Sequence, residues 1–248
     1  MNPMQFTPSA GLLAGRVILI TGAGGGLGRA LAVEAARCGA TMILSGRNMS
    51  KLERVYDEIQ ALGGPQPAIA ALGLATATAV DFDNLAATIG GEFGRLDGVV
   101  HAAAQLGDRT PLEQYDVPTW LRVLHVNLTA PFILTQVLLP NLRKSADASV
   151  IFVSSGVVRN PRPFWGAYAV AKSGLEAVCS MWSQELEGEA NIRFNSVNPG
   201  RIRTAMRAAA YPAEDPNSVP APASVSGSFL YLLSAQSRGI DGQYFEAQ

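Results

Sequence analysis

The sequence predicts an α/β fold, a single-domain doubly wound parallel sheet of about seven strands with helices on both faces. Short apolar segments alternate with helical segments along the 248 residues. The strand segments lack polar alternation, as expected for a sheet buried on both faces. A glycine cluster lies between the first strand and the first helix. We expect residues 1–15 to form a loose N-terminal arm and residues 16–248 to form one domain.

Each predicted element has a local signal in the sequence. The strands are rich in β-branched and aliphatic residues, as in "RVILIT", and the helices show apolar residues at helical spacing. Ser50 is the expected N-cap of the second helix, and the Pro-rich stretch 211–223 predicts an ordered loop or lid. The predicted strands are 16–21, 41–45, 67–72, 96–103, 148–154, 192–199 and 243–245, and the predicted helices are 27–40, 50–64, 79–93, 118–144, 166–188 and a weaker one at 222–234.

Composition narrows the class of partner. The chain is 48% hydrophobic and 16% charged, with a formal net charge of −1. This balance predicts a large buried core and gives no general attraction to nucleic acid or anionic lipid. No uninterrupted apolar run reaches the ~18–20 residues of a membrane span, and no secretory signal precedes Arg16. We therefore expect a cytoplasmic protein that binds a small molecule, with no nucleic-acid or membrane partner.

The cysteines and histidines do not predict a metal site. Cys38 and Cys179 lie in Ala-rich helical segments, so we interpret them as small core residues in a reducing compartment. His101 and His125 lack carboxylate or cysteine partners at ligand spacing. Both histidines are expected to be structural.

The glycine cluster "TGAGGGLG" at 21–28 predicts a dinucleotide-binding loop. Glycines allow a tight turn and a close approach of the backbone to a pyrophosphate, which the free N–H groups of the following helix can bind. An isolated Gly-x-Gly pattern would equally fit a flexible turn, but its place at the first strand–helix junction favours binding. The residues expected to contact the cofactor here are Gly22, Gly24, Gly25, Gly26, Leu27 and Gly28.

The end of the second strand favours NADP(H) over NAD(H). It reads "LSGRN", and no carboxylate occurs between Glu34 and Glu53 to bind the adenosine ribose hydroxyls. The guanidinium of Arg47 offers bidentate contacts to a 2′-phosphate instead. The alternative is that Arg47 is a solvated loop charge.

A second group of motifs extends the pattern to the whole chain. "VSS" closes the fifth predicted strand with Ser155, and "YAVAK" opens the next helix with Tyr168 and Lys172 on one face. Together with Thr21-Gly-x3-Gly26-x-Gly28, Asn127 in "HVNLTAPF" and "NPGRIRT" at 198–204, residues 15–245 resemble the short-chain dehydrogenase/reductase superfamily of single-domain Rossmann type. More narrowly, stretches such as "RLDGVVHAA" and "TAMRAAAYPAEDP" resemble YciK-like bacterial oxidoreductases.

The resemblance implies a role for each motif residue. Tyr168 would be the acid/base group, with its pKa lowered from ~10 by the ammonium of Lys172, which would also bind the nicotinamide ribose. Ser155 would hold the substrate oxygen, and Asn127 would expose a backbone carbonyl to a proton-relay water. Ile202 and Thr204 would hold the nicotinamide carboxamide. Further cofactor contacts are expected from Leu74, Ala102, Ala103, Pro199 and Gly200.

Two positions depart from the family pattern. The family's Asn-Asn-Ala-Gly stretch reads "HAAA" at 101–104, and its adenine-contacting aspartate corresponds to Gly73. Both changes affect the cofactor side of the site. They leave open a nucleotide sensor or scaffold that binds NADP(H) without turnover, as well as a reductase of acyl-carrier-protein thioesters.

The expected function is NADP(H)-dependent interconversion of a small-molecule carbonyl and an alcohol. Phe164, Trp165, Met206 and Tyr211 are the apolar candidates for the substrate wall. Arg159, Arg162, Arg203 and Arg207 are charges that could attract an acidic substrate or face solvent. The resemblance further implies a homodimer or homotetramer built on the helices at 118–144 and 166–188.

Overall fold

The computed structural model describes residues 6–189 and 191–248. Within these residues, strands β1 to β7 form one parallel sheet in the order β3-β2-β1-β4-β5-β6-β7. The predicted doubly wound α/β sheet is therefore confirmed, and the winding reverses between β1 and β4. The strands are β1 Val17–Thr21, β2 Thr41–Gly46, β3 Ala68–Ala71, β4 Gly98–His101, β5 Ala148–Val153, β6 Ile192–Asn198 and β7 Tyr244–Glu246.

The helices follow the predicted pattern with local differences. Helix α2 is capped by Asn48, whose side chain accepts a hydrogen bond from the Lys51 N–H at 3.0 Å, so the predicted cap Ser50 is wrong. The short helix α7, just before the predicted loop at 211–223, was not predicted from the sequence. The helices are α1 Gly26–Arg37, α2 Met49–Ala61, α3 Ala79–Phe93, α4 Val117–Leu124, α5 Ala130–Arg143, α6 Gly166–Glu185, α7 Ala205–Ala210 and α8 Ser226–Leu233.

The predicted helix at 118–144 is one run with a change of winding in its middle. A π-helical turn at His125–Thr129 joins α4 to α5. The whole run, Val117–Arg143, has 27 residues and is long and apolar enough to cross a membrane by length and composition alone. Half of its most apolar part is buried inside the protein, as in the core helix of a globular domain.

The core lies on both faces of the sheet. In β1, Ile18 and Ile20 belong to one apolar cluster, whereas Val17 and Leu19 belong to the other. Helices α1, α2 and α8 supply side chains to the first cluster, and α3, α5 and α6 supply them to the second. This two-sided burial explains why the strand sequences are apolar without alternation.

The N-terminal segment is packed from residue 6 onward and is not loose. Leu13 is fully buried, and its N–H donates to the Cys38 carbonyl at 2.9 Å. The Phe6 ring lies 5.2 Å from that of Tyr231 on α8. Residues 1–5 of the predicted arm lie outside the described residues.

Both cysteines are free and buried. Burial raises the pKa of the Cys38 thiol, and it raises that of Cys179 to about 12. The part of the chain that the structure describes contains no group of three potential His, Cys, Asp or Glu metal ligands. The thiols are thus protonated core groups at neutral pH.

An ionic network ties together the amino ends of several strands. The Asp147 carboxylate, just before β5, pairs with Arg16 before β1 and with Arg193 in β6. Burial by itself raises the pKa of Asp147, but hydrogen bonding and charge from Arg193 and Arg16 outweigh it and lower the pKa overall. Asp97 accepts a 2.9 Å hydrogen bond from the Val17 N–H nearby. The polar groups at the amino edge of the sheet therefore pair with one another and stabilise the sheet.

We expect Asp147→Asn to lower the free energy of unfolding by about 3–5 kcal/mol, because the buried Arg193 guanidinium loses its carboxylate. Urea denaturation measures this loss. The matched control is Glu189→Gln, which removes an exposed pair with Arg143 and should cost less than about 1 kcal/mol. Equal losses in the two variants would contradict the assignment.

Candidate active site

A cavity of about 690 Å³ opens at the carboxyl ends of the strands, around the reversal between β1 and β4. Its size and position are those of small-molecule sites in open α/β sheets. Apart from Asn127, the structure brings all the predicted catalytic and cofactor-binding residues into its lining. These are Gly22, Gly24, Gly25, Gly26, Leu27, Gly28, Arg47, Leu74, Ala102, Ala103, Ser155, Tyr168, Lys172, Pro199, Gly200, Ile202 and Thr204.

The glycine loop runs directly into the N-terminus of α1. Gly25 occupies the N-cap position without a side chain to satisfy the first helical N–H groups, and no acid lies in the first turn. A Cβ on Gly28 would sit 2.4 Å from the Gly22 carbonyl oxygen. Glycine at 28 therefore lets the helix pack tightly against the loop, and the free N–H groups face the cavity as an anion site.

Basic side chains border the opposite end of the groove. Arg47, just after β2, is exposed and lines the cavity together with Asn48 and Lys51. Within the described residues, neither Arg47 nor Lys51 has a carboxylate within ion-pair distance. A Cβ on Gly73 would lie 3.6 Å from the Arg47 Cβ. Lys51 was not singled out by the sequence, although its place in the first turn of α2, beside Arg47, was a usable signal.

Tyr168 lies at the buried end of the cavity with only 8% of its surface exposed. Burial raises the pKa of its phenol above the ordinary value, and a hydrogen bond with Ser155 opposes this rise. The structure thus brings Ser155 and Tyr168 together, as their positions after β5 and at the start of α6 predict. The phenol is held in its protonated form at neutral pH.

Lys172 is buried, but its ammonium is not directed at the phenol oxygen. Its Nζ donates to the Val153 carbonyl oxygen at 2.6 Å and lies 5.9 Å from the centre of the Tyr168 ring. Burial lowers the pKa of Lys172 to about 8. The expected lowering of the Tyr168 pKa by Lys172 is therefore wrong. The Lys172 ammonium binds the Val153 carbonyl, and burial of the phenol raises the Tyr168 pKa.

Asn127 lies behind the cavity wall, in the π-helical turn between α4 and α5. Its side-chain oxygen accepts from the Gln105 N–H at 2.8 Å, and its amide donates to the Gln105 carbonyl at 2.8 Å. Gln105 lines the cavity in the loop after β4. The sequence singled out the Asn127 backbone carbonyl, but the contacts shown here are those of its side chain, which fixes that loop.

The altered stretch 101–104 is packed into the wall. The buried His101 ring stacks on Phe152, with ring centres 4.9 Å apart, and its Nε2 lies 2.9 Å from the Thr135 hydroxyl. That hydroxyl donates to the Pro131 carbonyl, so the His101 Nε2 carries the hydrogen. Burial, aided by the charge of Lys172, lowers the pKa of His101 to about 3. His101 is thus a neutral core group.

The substrate end of the cavity is lined from two segments, the one before α6 and the one around α7. Trp165, Met206 and Tyr211 line the cavity as expected, whereas Phe164 is 49% exposed and lies outside the lining, so it was wrongly placed on the wall. Arg207 does not face solvent freely, because two 2.6 Å hydrogen bonds pair it with Glu214. The Thr204 hydroxyl caps α7 by accepting from the Arg207 N–H at 3.1 Å.

Comparison with protein families assigns the fold and site to a known group. The family model described as short chain dehydrogenase matches residues 16–215. The chain belongs to the short-chain dehydrogenase family. It is 43% identical over 245 residues to the uncharacterized oxidoreductase YciK of Escherichia coli K12, covering 99% of this chain and 96% of that protein. The resemblance to this family and to its YciK-like members is confirmed.

Solved structures of the family superimpose closely. A short chain dehydrogenase from Pseudomonas syringae is 48% identical, with a TM-score of 0.97, and the match covers 98% of this chain and 99% of that one. One from Escherichia coli CFT073, complexed with NADPH, is 44% identical, with a TM-score of 0.94 and coverage of 97% and 100%. The arrangement of sheet and helices is thus that of close family members.

One partly buried carboxylate near the family motif residues was not predicted from the sequence. Glu176, on the turn of α6 after Lys172, accepts a hydrogen bond from the Ser154 hydroxyl and pairs with Arg159 at 3.1 Å. Arg159 also lies over the Tyr244 ring at 4.2 Å. The spacing of four residues between Lys172 and Glu176 was the sequence signal that could have placed Glu176 near the site. Arg159 is therefore a structural charge, and Glu176 anchors the strand end that carries Ser155.

The buried Lys172 predicts a specific pH dependence of stability. Its pKa is about 8 in the folded chain against an ordinary value of 10.5, so the unfolded chain binds more protons between these pH values. The Lys172 contribution to the free energy of unfolding therefore rises with pH across this window. We expect the unfolding free energy of the wild type minus that of Lys172→Met to increase there, as measured by urea denaturation. A difference independent of pH would contradict the burial of a shifted lysine.

Proposed function

We propose that the chain is an NADP(H)-dependent oxidoreductase that interconverts a carbonyl and an alcohol, with Tyr168 as the acid/base group. The observation that carries the proposal is the buried phenol of Tyr168, with Ser155 and Lys172 beside it, at one end of the cavity. The glycine loop and Arg47 line the same cavity. One cavity therefore holds both a proton donor and a dinucleotide-sized groove.

The cavity residues fit a dinucleotide phosphate. The uncapped N-terminus of α1 suits a pyrophosphate, and the tight packing at Gly28 leaves the groove clear of side chains. Arg47 and Lys51 suit a 2′-phosphate at the adenosine end, where the described residues place no carboxylate. The NADPH complex of the Escherichia coli CFT073 relative supports the same cofactor. Ile202 and Thr204 remain the proposed contacts to the carboxamide.

When bound, the cofactor would supply or accept the hydride. In reduction, the Ser155 hydroxyl would bind the substrate oxygen while the Tyr168 hydroxyl gives it a proton. Burial favours the neutral phenol, so the site is set for proton donation more than for proton abstraction. Lys172 would bind ribose hydroxyls near Tyr168 once its Nζ leaves the Val153 carbonyl.

The oligomeric state, the location and the class of substrate are also proposed from the family pattern. Exposed apolar residues on the outer helices, Leu121, Phe132, Val170 and Met181, support pairing of these helices between copies in a homodimer or homotetramer. A cytoplasmic location and a small-molecule carbonyl or alcohol substrate remain parts of the same proposal. Neither a nucleic acid nor a membrane is proposed as a partner.

We expect Tyr168→Phe to lower kcat/KM for any reduced carbonyl by about 10²–10⁴-fold, because the proton donor is lost. The dissociation constant of NADPH should change little. NADPH consumption with a panel of aldehydes, ketones and quinones measures turnover, and fluorescence titration measures binding. The matched control is Tyr231→Phe, a buried phenol on α8 far from the cavity lining. Full activity in Tyr168→Phe would refute the role, and wild-type NADPH binding without turnover would instead favour the sensor.

We expect Gly28→Ala to weaken NADPH binding roughly tenfold to a hundredfold, because its Cβ would meet the Gly22 carbonyl at 2.4 Å and displace the loop. Calorimetric titration measures the affinity, and circular dichroism checks that the variant is folded. Gly91→Ala is the control, since Gly91 is an exposed position of α3 and a Cβ there would meet nothing within 4 Å. Unchanged affinity in the folded Gly28→Ala protein would contradict the phosphate-loop assignment.

A further inference from the structure

Arg109 is exposed and contacts residues at the substrate end of the cavity, although it is not itself one of the lining residues. Its guanidinium carbon sits 4.2 Å over the Trp165 ring and 5.7 Å from the centre of Tyr211. One of its N–H groups donates to the Ala210 carbonyl at 3.2 Å. All three contacted residues line the cavity. The Arg109 guanidinium therefore contacts the wall of the cavity, although Arg109 belongs to the loop after β4.

The loop that carries Arg109 is held in place by Tyr115. The Tyr115 hydroxyl accepts a 3.1 Å hydrogen bond from the Asp108 N–H, and its ring lies edge-on to Trp120 at 5.4 Å. Gly107 has a φ of 71°, and a Cβ there would lie 2.4 Å from the Tyr115 hydroxyl. Packing of Tyr115 against Gly107 and its hydrogen bond with Asp108 thus fix the loop that positions Arg109.

Arg109 differs from the neighbouring arginines in its partners. Arg207 is neutralised by Glu214, and Arg159 is paired with Glu176. Over residues 6–189 and 191–248, no carboxylate lies within ion-pair distance of Arg109. The Trp165 ring covers a face of the guanidinium, so the N–H groups left over lie in its plane. That edge matches the two oxygens of a carboxylate.

The wall between Arg109 and the reacting group is aromatic. Trp165 contacts Arg109, and its ring centre lies 5.7 Å from that of Tyr168 and 6.0 Å from that of Tyr211. Met206 lines the same part of the cavity. A ligand with its carbonyl at Tyr168 would pass along apolar surface before it reached the Arg109 cation.

We propose that the substrate is an oxo acid, in which an apolar body separates the reacting carbonyl from a carboxylate that Arg109 binds at the cavity rim. The inference rests on the proposed carbonyl reduction at Tyr168 and adds the class of substrate. Arg109 is then a specificity-determining residue. A neutral carbonyl compound of the same shape would leave its guanidinium edge without a partner.

The test compares aryl oxo acids, with different numbers of methylene groups between the carbonyl and the carboxylate, with their methyl esters. The wild type with NADPH should favour the best acid over its ester by roughly tenfold in kcat/KM. In Arg109→Gln the preference should disappear, because the acid loses about that factor and the ester loses far less. Arg109→Lys should keep part of it, since the charge remains without the planar fork. Arg162→Gln, an exposed arginine that the described contacts place over neither Trp165 nor Tyr211, should keep all of it.

The outcomes separate the inference from the function on which it rests. An unchanged acid preference in Arg109→Gln, or a wild type that reduces esters as well as acids, overturns the role of Arg109 but not carbonyl reduction. Equal losses for acid and ester in Arg109→Gln also overturn it, because they show a support of Trp165 only. Reduction of other ketones but of neither member of any pair overturns the oxo-acid class. Failure of every carbonyl compound in the wild type overturns the proposed function itself.

Discussion

The parallel direction of the sheet is the constraint on which the site depends. Because the strands run the same way, each delivers the residues after its carboxyl end to one edge. The glycine loop, Arg47 and Ser155 follow β1, β2 and β5 and so meet around one cavity. The opposite edge is closed by the carboxylate of Asp147, which lies between the buried Arg193 and the partly buried Arg16. One edge therefore stabilises the sheet while the other remains open for a ligand.

Burial governs the chemistry of the cavity more than pairing of charges does. It raises the pKa of Tyr168 and lowers that of Lys172, so it favours the uncharged form of each. A neutral phenol suits a proton donor, and the hydrogen bond from Lys172 to the Val153 carbonyl keeps the amine satisfied beside it. A helical spacing of four residues brings the two groups near each other, but the surroundings decide their protonation.

The sequence predicts the strands, the glycine loop and the convergence of Ser155 with Tyr168, because these follow from apolar periodicity and from the direction of a parallel sheet. It does not predict where a long side chain ends. Lys172 reaches a main-chain carbonyl, and Asn127 binds Gln105 across a loop whose path depends on tertiary packing. The short helix α7 was missed because only six residues carry its signal. The contact between Arg109 and Trp165 joins two loops that share no sequence pattern.

Trp165 connects the wall of the cavity to the reacting phenol. Its buried indole contacts Tyr168 on α6, Tyr211 after α7 and the guanidinium of Arg109 after β4. The indole is therefore a packing element that these three segments share. A ligand that orders the Arg109 loop would therefore also restrain Trp165 against the Tyr168 ring. Recognition of the far end of a substrate and positioning of the proton donor would then depend on the same aromatic contact.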